Sequence, residues 1–108
     1  MEIYEPEART SVETIKRYGE FADRGETPEL AAQAWSDAGF DDGPTASWLE
    51  ARCFDAGAAR ALADLGVAPG QAAVRTRDGG GGLDTIGYKV ASGVLTSRQG
   101  AVRTLSSR

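Results

Sequence analysis

Apolar positions along this chain recur at three- and four-residue intervals in short runs, each closed by a small residue and reopened by a Ser, Thr or Asp. Residues 1–9 lack that period and contain Pro6, which predicts an arm whose apolar residues are Ile3 and Tyr4. Periodicity begins at Thr10. Thr10-x-x-Glu13 has the form of a capping box, and Val12, Ile15 and Ala22, with Tyr18 and Phe21 beside them, predict a helix to about Arg24 that Gly25 ends. Thr27-Pro28 restarts the pattern, because Thr caps and a proline in the first helical position loses no needed hydrogen bond. Leu30, Ala31, Ala34, Trp35 and Ala38 form the next stripe, stopped by Gly39. Asp42-Gly43-Pro44 launches a third helix carrying Trp48, Leu49 and Cys53. Asp55 caps a fourth with Ala59, Leu62, Ala63 and Leu65 inward and Gly66 at its end, and Ala68-Pro69 opens a short fifth through Ala73.

Laid over one another, these units form a short repeat. Trp35-x-x-x-Gly39-Phe40-Asp41, Leu49-x-x-x-Cys53-Phe54-Asp55 and Leu62-x-x-x-Gly66-Val67-Ala68 align at spacings of 14 and 13 residues. Each is a helix end followed by a capped restart, with a large apolar residue placed to staple the new helix to the old. Helices of about 8–10 residues are marginal alone and must pack on one another across short connections. Solenoid repeats of this kind are longer, on the order of 33 residues. The pattern therefore predicts one compact bundle.

The run Asp78-Gly79-Gly80-Gly81-Gly82 breaks the period and predicts a flexible loop over residues 75–83. Beyond it, Asp84 or Thr85 caps a helix that carries Ile86 and Val90 and ends at Gly93, and Thr96 caps another with Ala101, Val102 and Leu105. Thr85, Ile86, Tyr88 and Val90 are also good strand formers, so a strand is the alternative to helix over 84–92. The fold expected is all-α: a compact bundle of short helices with a glycine-rich loop before a C-terminal helical pair, as a single domain over 1–108.

Charge divides the chain more sharply than its total of −4 suggests. Residues 1–74 hold 14 acidic against 6 basic side chains, while residues 75–108 hold 2 against 6. An acidic body (10–74) thus precedes a basic segment (84–108). The body suits a basic partner and repels nucleic acid. The 41% apolar fraction is rich in alanine and only 7% is aromatic, which calls for a closely packed core of small residues. No run approaches the ~18 apolar residues of a membrane span, the start Met1-Glu2-Ile3-Tyr4-Glu5 is acidic where a signal peptide is basic, and a single cysteine excludes an internal disulfide. A cytoplasmic protein, bound to no membrane, is the expectation.

Catalytic chemistry finds little to use. The absence of histidine removes the commonest general base, the Ser/His and Cys/His nucleophile pairs and most transition-metal sites. Cys53 occupies the place of Gly39 and Gly66 in the repeat and reads as a packing residue. Gly82-x-x-x-x-Gly87-Tyr88-Lys89 approaches a phosphate-binding loop, but Tyr88 intervenes before the lysine and Val90 stands where a hydroxyl would hold magnesium. Asp37, Asp41 and Asp42 lack the alternate oxygen ligands of a calcium loop, since Ala38 and Phe40 intervene. No catalytic, cofactor or metal residue is assigned, and the chain is not expected to be an enzyme.

The basic segment is the one stretch whose chemistry rivals a bland reading. Arg75, Arg77, Tyr88, Lys89, Arg98 and Arg103 are the candidate partner-binding residues, for another protein or for nucleic acid. A DNA-reading helix-turn-helix would place alanine four residues before the turn glycine Gly93 and an apolar residue about six after it, where Lys89 and Gln99 stand.

Three strings, Ala34-Trp35-Ser36-Asp37-Ala38-Gly39-Phe40, Trp48-Leu49-Glu50-Ala51-Arg52-Cys53-Phe54 and Leu65-Gly66-Val67-Ala68-Pro69, together with Asp84-Thr85-Ile86-Gly87-Tyr88-Lys89-Val90-Ala91, cover roughly half the chain. They resemble small helical proteins of unassigned function from high-GC actinobacteria and their phages or plasmids. The resemblance implies no activity and no site residue. It implies a bacterial or mobile-element accessory protein. The expected function is a non-enzymatic protein-interaction module, a regulator or inhibitor; the alternative is a small DNA-binding regulator using the basic segment.

Overall fold

The computed structural model describes residues 10–18 and 27–105. The arm at 1–9, the continuation of the first helix through Phe21, Ala22 and Arg24 to Gly25, and residues 106–108 lie outside the described residues. Within them run seven helices and one small hairpin: α1 Val12–Tyr18, α2 Pro28–Asp37, α3 Asp42–Glu50, α4 Ala56–Asp64, α5 Pro69–Ala72, β1 Arg75–Thr76, β2 Asp84–Thr85, α6 Ile86–Ala91 and α7 Ser97–Leu105. The strands pair antiparallel, Arg75 opposite Thr85 and Thr76 opposite Asp84. The molecule is mostly helical, as the periodicity predicts.

Capping residues decide where these helices begin. Thr27 Oγ1 accepts from Leu30 N at 3.1 Å with Pro28 in the first turn, and Asp55 Oδ2 accepts from Ala58 N at 2.8 Å. Thr85 Oγ1 accepts from Tyr88 N at 3.0 Å, so 86–91 is helix and only Asp84–Thr85 is strand. At α7, Thr96 and Gln99 cap one another reciprocally. The first helix departs from expectation. Ser11, not Thr10, receives the Thr14 amide. Thr10 is buried instead, where its hydroxyl donates to Phe40 O at 3.0 Å and meets Thr45 Oγ1 at 2.7 Å.

The repeat is real, and its middle unit is offset by one residue. Three six-residue closures end α2, α3 and α4: Phe40 N donates to Trp35 O, Cys53 N to Trp48 O and Val67 N to Leu62 O. Each is the hydrogen bond that closes a left-handed helix stop. The left-handed residues are Gly39 (φ 91°), Arg52 (φ 65°) and Gly66 (φ 92°). Trp48, not Leu49, is therefore the partner of Trp35. Cys53 is the buried counterpart of Phe40 and Val67, and Phe54 is an extra residue before the Asp55 cap. The 14- and 13-residue spacings hold for the caps and reverse for the stops.

α1 lies on α2 and α3, α3 on α5, and α4 on α2, α6 and α7, with α6 against α7. Trp35, Phe40 and Trp48 form an aromatic cluster, with ring centroids 5.3 and 6.5 Å apart. Small residues bring the C-terminal helices close. A Cβ on Gly100 would lie 2.7 Å from Val90 Cγ2 and 3.2 Å from Ile86 Cγ2. The stripe expected on α2 is rotated: Ala31, Ala32 and Trp35 are buried, whereas Leu30 is 61% exposed and Ala34 also faces out. Among the described residues every buried side-chain nitrogen and oxygen is hydrogen-bonded, and no helix is long and apolar enough to cross a membrane.

Candidate interaction surface

The glycine run is not a slack linker. Gly79, Gly80, Gly81 and Gly82 all hold φ between 78° and 84°, a left-handed path that only glycine follows without strain. This path turns the carbonyls of Asp78, Gly80 and Gly82 onto one point. Lys89 Nζ sits there, 1% exposed as a residue, donating to the three oxygens at 2.8, 2.8 and 2.6 Å. An ammonium has three donors and no acceptor, so three carbonyls satisfy it completely. They replace its hydration shell, as rings of carbonyls do for ions in channels. A phosphate-cradling loop aims N–H groups inward. This loop aims oxygens inward, which is the wrong polarity for an anion.

Arg103 adds a second tie, donating through Nε to the Asp78 carboxylate at 2.8 Å. A third involves Arg52, whose guanidinium grips Asp84 with two hydrogen bonds at 2.9 and 3.1 Å. The same guanidinium lies 4.8 Å from the Tyr88 ring centroid and 5.7 Å from that of Phe54. The Arg52 hydrogen bonds, the largest influence, hold the Asp84 carboxyl below the ordinary carboxylate range against the opposing effect of burial, with the Thr85 amide adding a smaller contribution. These contacts compensate a left-handed backbone that costs a non-glycine residue about 1–2 kcal/mol.

With the loop, hairpin and α6 fixed in this way, α7 is held by its small face. Gly100 and Ala101 are buried, and the larger residues point away. Val102 and Leu105 are 55% and 41% exposed, joined across an open groove by Leu65 at the end of α4, itself 40% exposed. Arg98 and Ala101 complete the lining of this groove, which measures about 670 Å³. Leu65 was expected inside with Leu62; helix α4 stops at Asp64, and Leu65 leaves the core on the turn toward Gly66. Among the described residues, Arg98 makes no ion pair.

The six sequence candidates thus separate. Arg75 and Arg77 are exposed at the hairpin. Tyr88 is half-buried under Arg52, and Lys89 is enclosed, away from any surface contact. Arg103 is tied to Asp78, and Arg98 alone borders the groove. Leu65, Val102 and Leu105 were not among the candidates. Gly100 was their available signal, since a glycine on the inward face of a short helix leaves its large side chains with no core to enter. Cys53 is fully buried, and among the described residues no three His, Cys, Asp or Glu side chains gather to hold a metal.

Comparison with models of known protein families, with curated proteins and with solved structures found no match.

Proposed function

We propose that this chain is a non-enzymatic protein-interaction module that works through the α4/α7 groove. One observation carries the reading: Leu65 at the end of α4 and Val102 and Leu105 on α7 are exposed and line one groove, bordered by the cation of Arg98. Exposed apolar patches with polar rims mark places where proteins meet. A bacterial or mobile-element accessory regulator would act in this way, by occupying a partner's surface. DNA reading is the weaker alternative, because Lys89 and Arg103 are already engaged by the loop and Tyr88 by Arg52.

The test is a photoreactive amino acid placed at Val102 in the native host, with Gly70 as the control position. The module predicts a crosslink to a protein at 102 that is absent at 70 and is lost on Leu65→Asp. Crosslinks of equal yield at both positions, or none, would remove the reading. A gel shift at low salt that vanishes on neutralising Arg75 and Arg77 would favour DNA instead.

A further inference from the structure

Each end of the glycine loop is anchored by groups other than Lys89. At its entry Asp78 N donates to Thr76 Oγ1 at 3.1 Å, and the Asp78 carboxylate is held by Arg103. Gly79 packs on the turn between α6 and α7, where a Cβ would stand 2.8 Å from Val94 Cγ1 and 2.9 Å from Leu95 Cδ2. At the exit Asp84 is gripped by Arg52 and paired with Thr76 across the hairpin. A Cβ on Gly80, Gly81 or Gly82 would meet nothing within 4 Å, so crowding does not account for these three glycines. Their left-handed φ does, because that path brings the alternate carbonyls of residues 78, 80 and 82 to one point.

The point where those carbonyls meet suits one chemical group. Three oxygens lie 2.6 to 2.8 Å from a single nitrogen and match the three N–H bonds of a primary ammonium. A guanidinium spreads its donors over a planar fork and a quaternary ammonium has none, so neither satisfies the three oxygens at once. Among the described residues no carboxylate pairs with Lys89, since that of Asp78 is engaged by Arg103. Recognition therefore rests on carbonyl dipoles, in a place where solvent is nearly excluded and such dipoles act strongly.

We infer that the loop at 78–82 is a receptor for a primary ammonium and that Lys89 is the ligand it carries on its own chain. Its ends are fixed without the lysine, and its middle orders around the cation. Remove the tethered amine and the site takes a free alkylammonium, the nitrogen among the carbonyls and the alkyl chain in the space the lysine stem leaves. The inference stands apart from the α4/α7 groove.

Lys89→Ala keeps Cβ and vacates the space of n-propylammonium. The variant is titrated with that ion from about 1 to about 100 mM, the range of a millimolar site, at constant ionic strength. Its thermal midpoint is expected to rise saturably by on the order of 5 °C, the shift that about a tenfold excess over Kd produces in a domain of this size. Amide exchange at residues 79–82 is expected to slow with it, while α2–α4 do not change. If Lys89→Ala is unfolded on its own, recovery of helicity with the amine is the equivalent readout. 1-Propanol lacks the charge and tetramethylammonium lacks the donors, so both are expected to leave the variant unchanged. Lys89→Met, whose own stem fills the space, is expected not to respond to n-propylammonium. Lys89→Arg tests selectivity with no added ligand: exchange at 79–82 is expected to quicken although the charge is kept. Neither a saturable shift nor recovered helicity in Lys89→Ala overturns the inference. So does an equal response to potassium chloride or tetramethylammonium, an equal response in Lys89→Met, or a loop as protected in Lys89→Arg as in the parent.

Discussion

The tandem helices α2–α5 and the segment from β1 to α7 are held together by opposite means. In the tandem helices the closures are mostly local: the stop at Gly39 is sealed by the Phe40 amide on Trp35 O, and α2 and α4 start under the Thr27 and Asp55 caps. In the C-terminal segment the ties span long stretches of sequence. Lys89 reaches back to residues 78, 80 and 82, Arg103 to Asp78, and Asp84 to Arg52, 32 residues earlier in the chain. Local closures build a body from short helices. Non-local ties fix α7 with its small residues inward and its large ones in solvent, and this makes a surface of it.

The sharpest break is expected at Gly100. Even alanine there places a Cβ within 2.7 Å of Val90 Cγ2, and Gly100→Val should cost about 3 kcal/mol or more, a fall in Tm of on the order of 10 °C. Gly70→Ala, where nothing lies within 4 Å, should be neutral or slightly stabilising. Equal melting of the two variants would mean that the close packing of α6 and α7 is not tight in solution.

Lys89→Met keeps most of the side chain's apolar stem and removes its three donors. The expected loss is about 2–3 kcal/mol, the worth of charge-assisted hydrogen bonds. Amide exchange should quicken through residues 78–83 while α2–α4 keep their protection. Unchanged exchange in that loop would show that the glycines hold their path without the lysine.

Arg52 gives a smaller effect with a telling order. In an ordinary helix Gly is worse than Ala by about 1 kcal/mol. At the left-handed φ of 65° the order inverts, so Arg52→Ala should be the less stable variant by about 1 kcal/mol, both being weaker than the parent. Denaturant midpoints decide it.

The smallest expected change concerns acid. Asp42 accepts from Ser11 N at 2.7 Å and from Thr14 Oγ1 at 2.8 Å, and these bonds, the amide first, lower its pKa. Asp84 is lowered too. A carboxyl depressed in the folded state contributes stability that is complete above its unfolded value near pH 4 and is lost as pH falls through the folded one. Stability should decline below about pH 4, and Asp42→Asn should flatten that limb by well under 1 kcal/mol, since the group is mostly solvated. A limb unchanged in both Asp42→Asn and Asp84→Asn would assign it to other carboxyls.

Legibility in the sequence follows the same division. Thr27-Pro28, Asp55, Thr85, Thr96 and the stops at Gly39 and Gly66 were readable because caps and stops act within a few residues. The middle stop was misplaced by one residue because Arg52, a residue type that seldom adopts a left-handed backbone, does the work expected of Cys53, and it is held there by Asp84, which is distant in sequence. Lys89 read as a surface cation because nothing local announces that alternating carbonyls of a glycine run will enclose it. Leu65 and Val102 read as core because periodicity reports which residues are apolar and not how many faces the rest of the chain can cover.

The measurement that bears most directly on the account is the photocrosslink from the outward stripe of α7. If that stripe and the end of α4 are where this protein meets another, a photoreactive residue at Val102 or Leu105 will crosslink to a protein in the native host and one at Gly70 will not. Equal yields at the three positions, or no crosslink from α7, would contradict it.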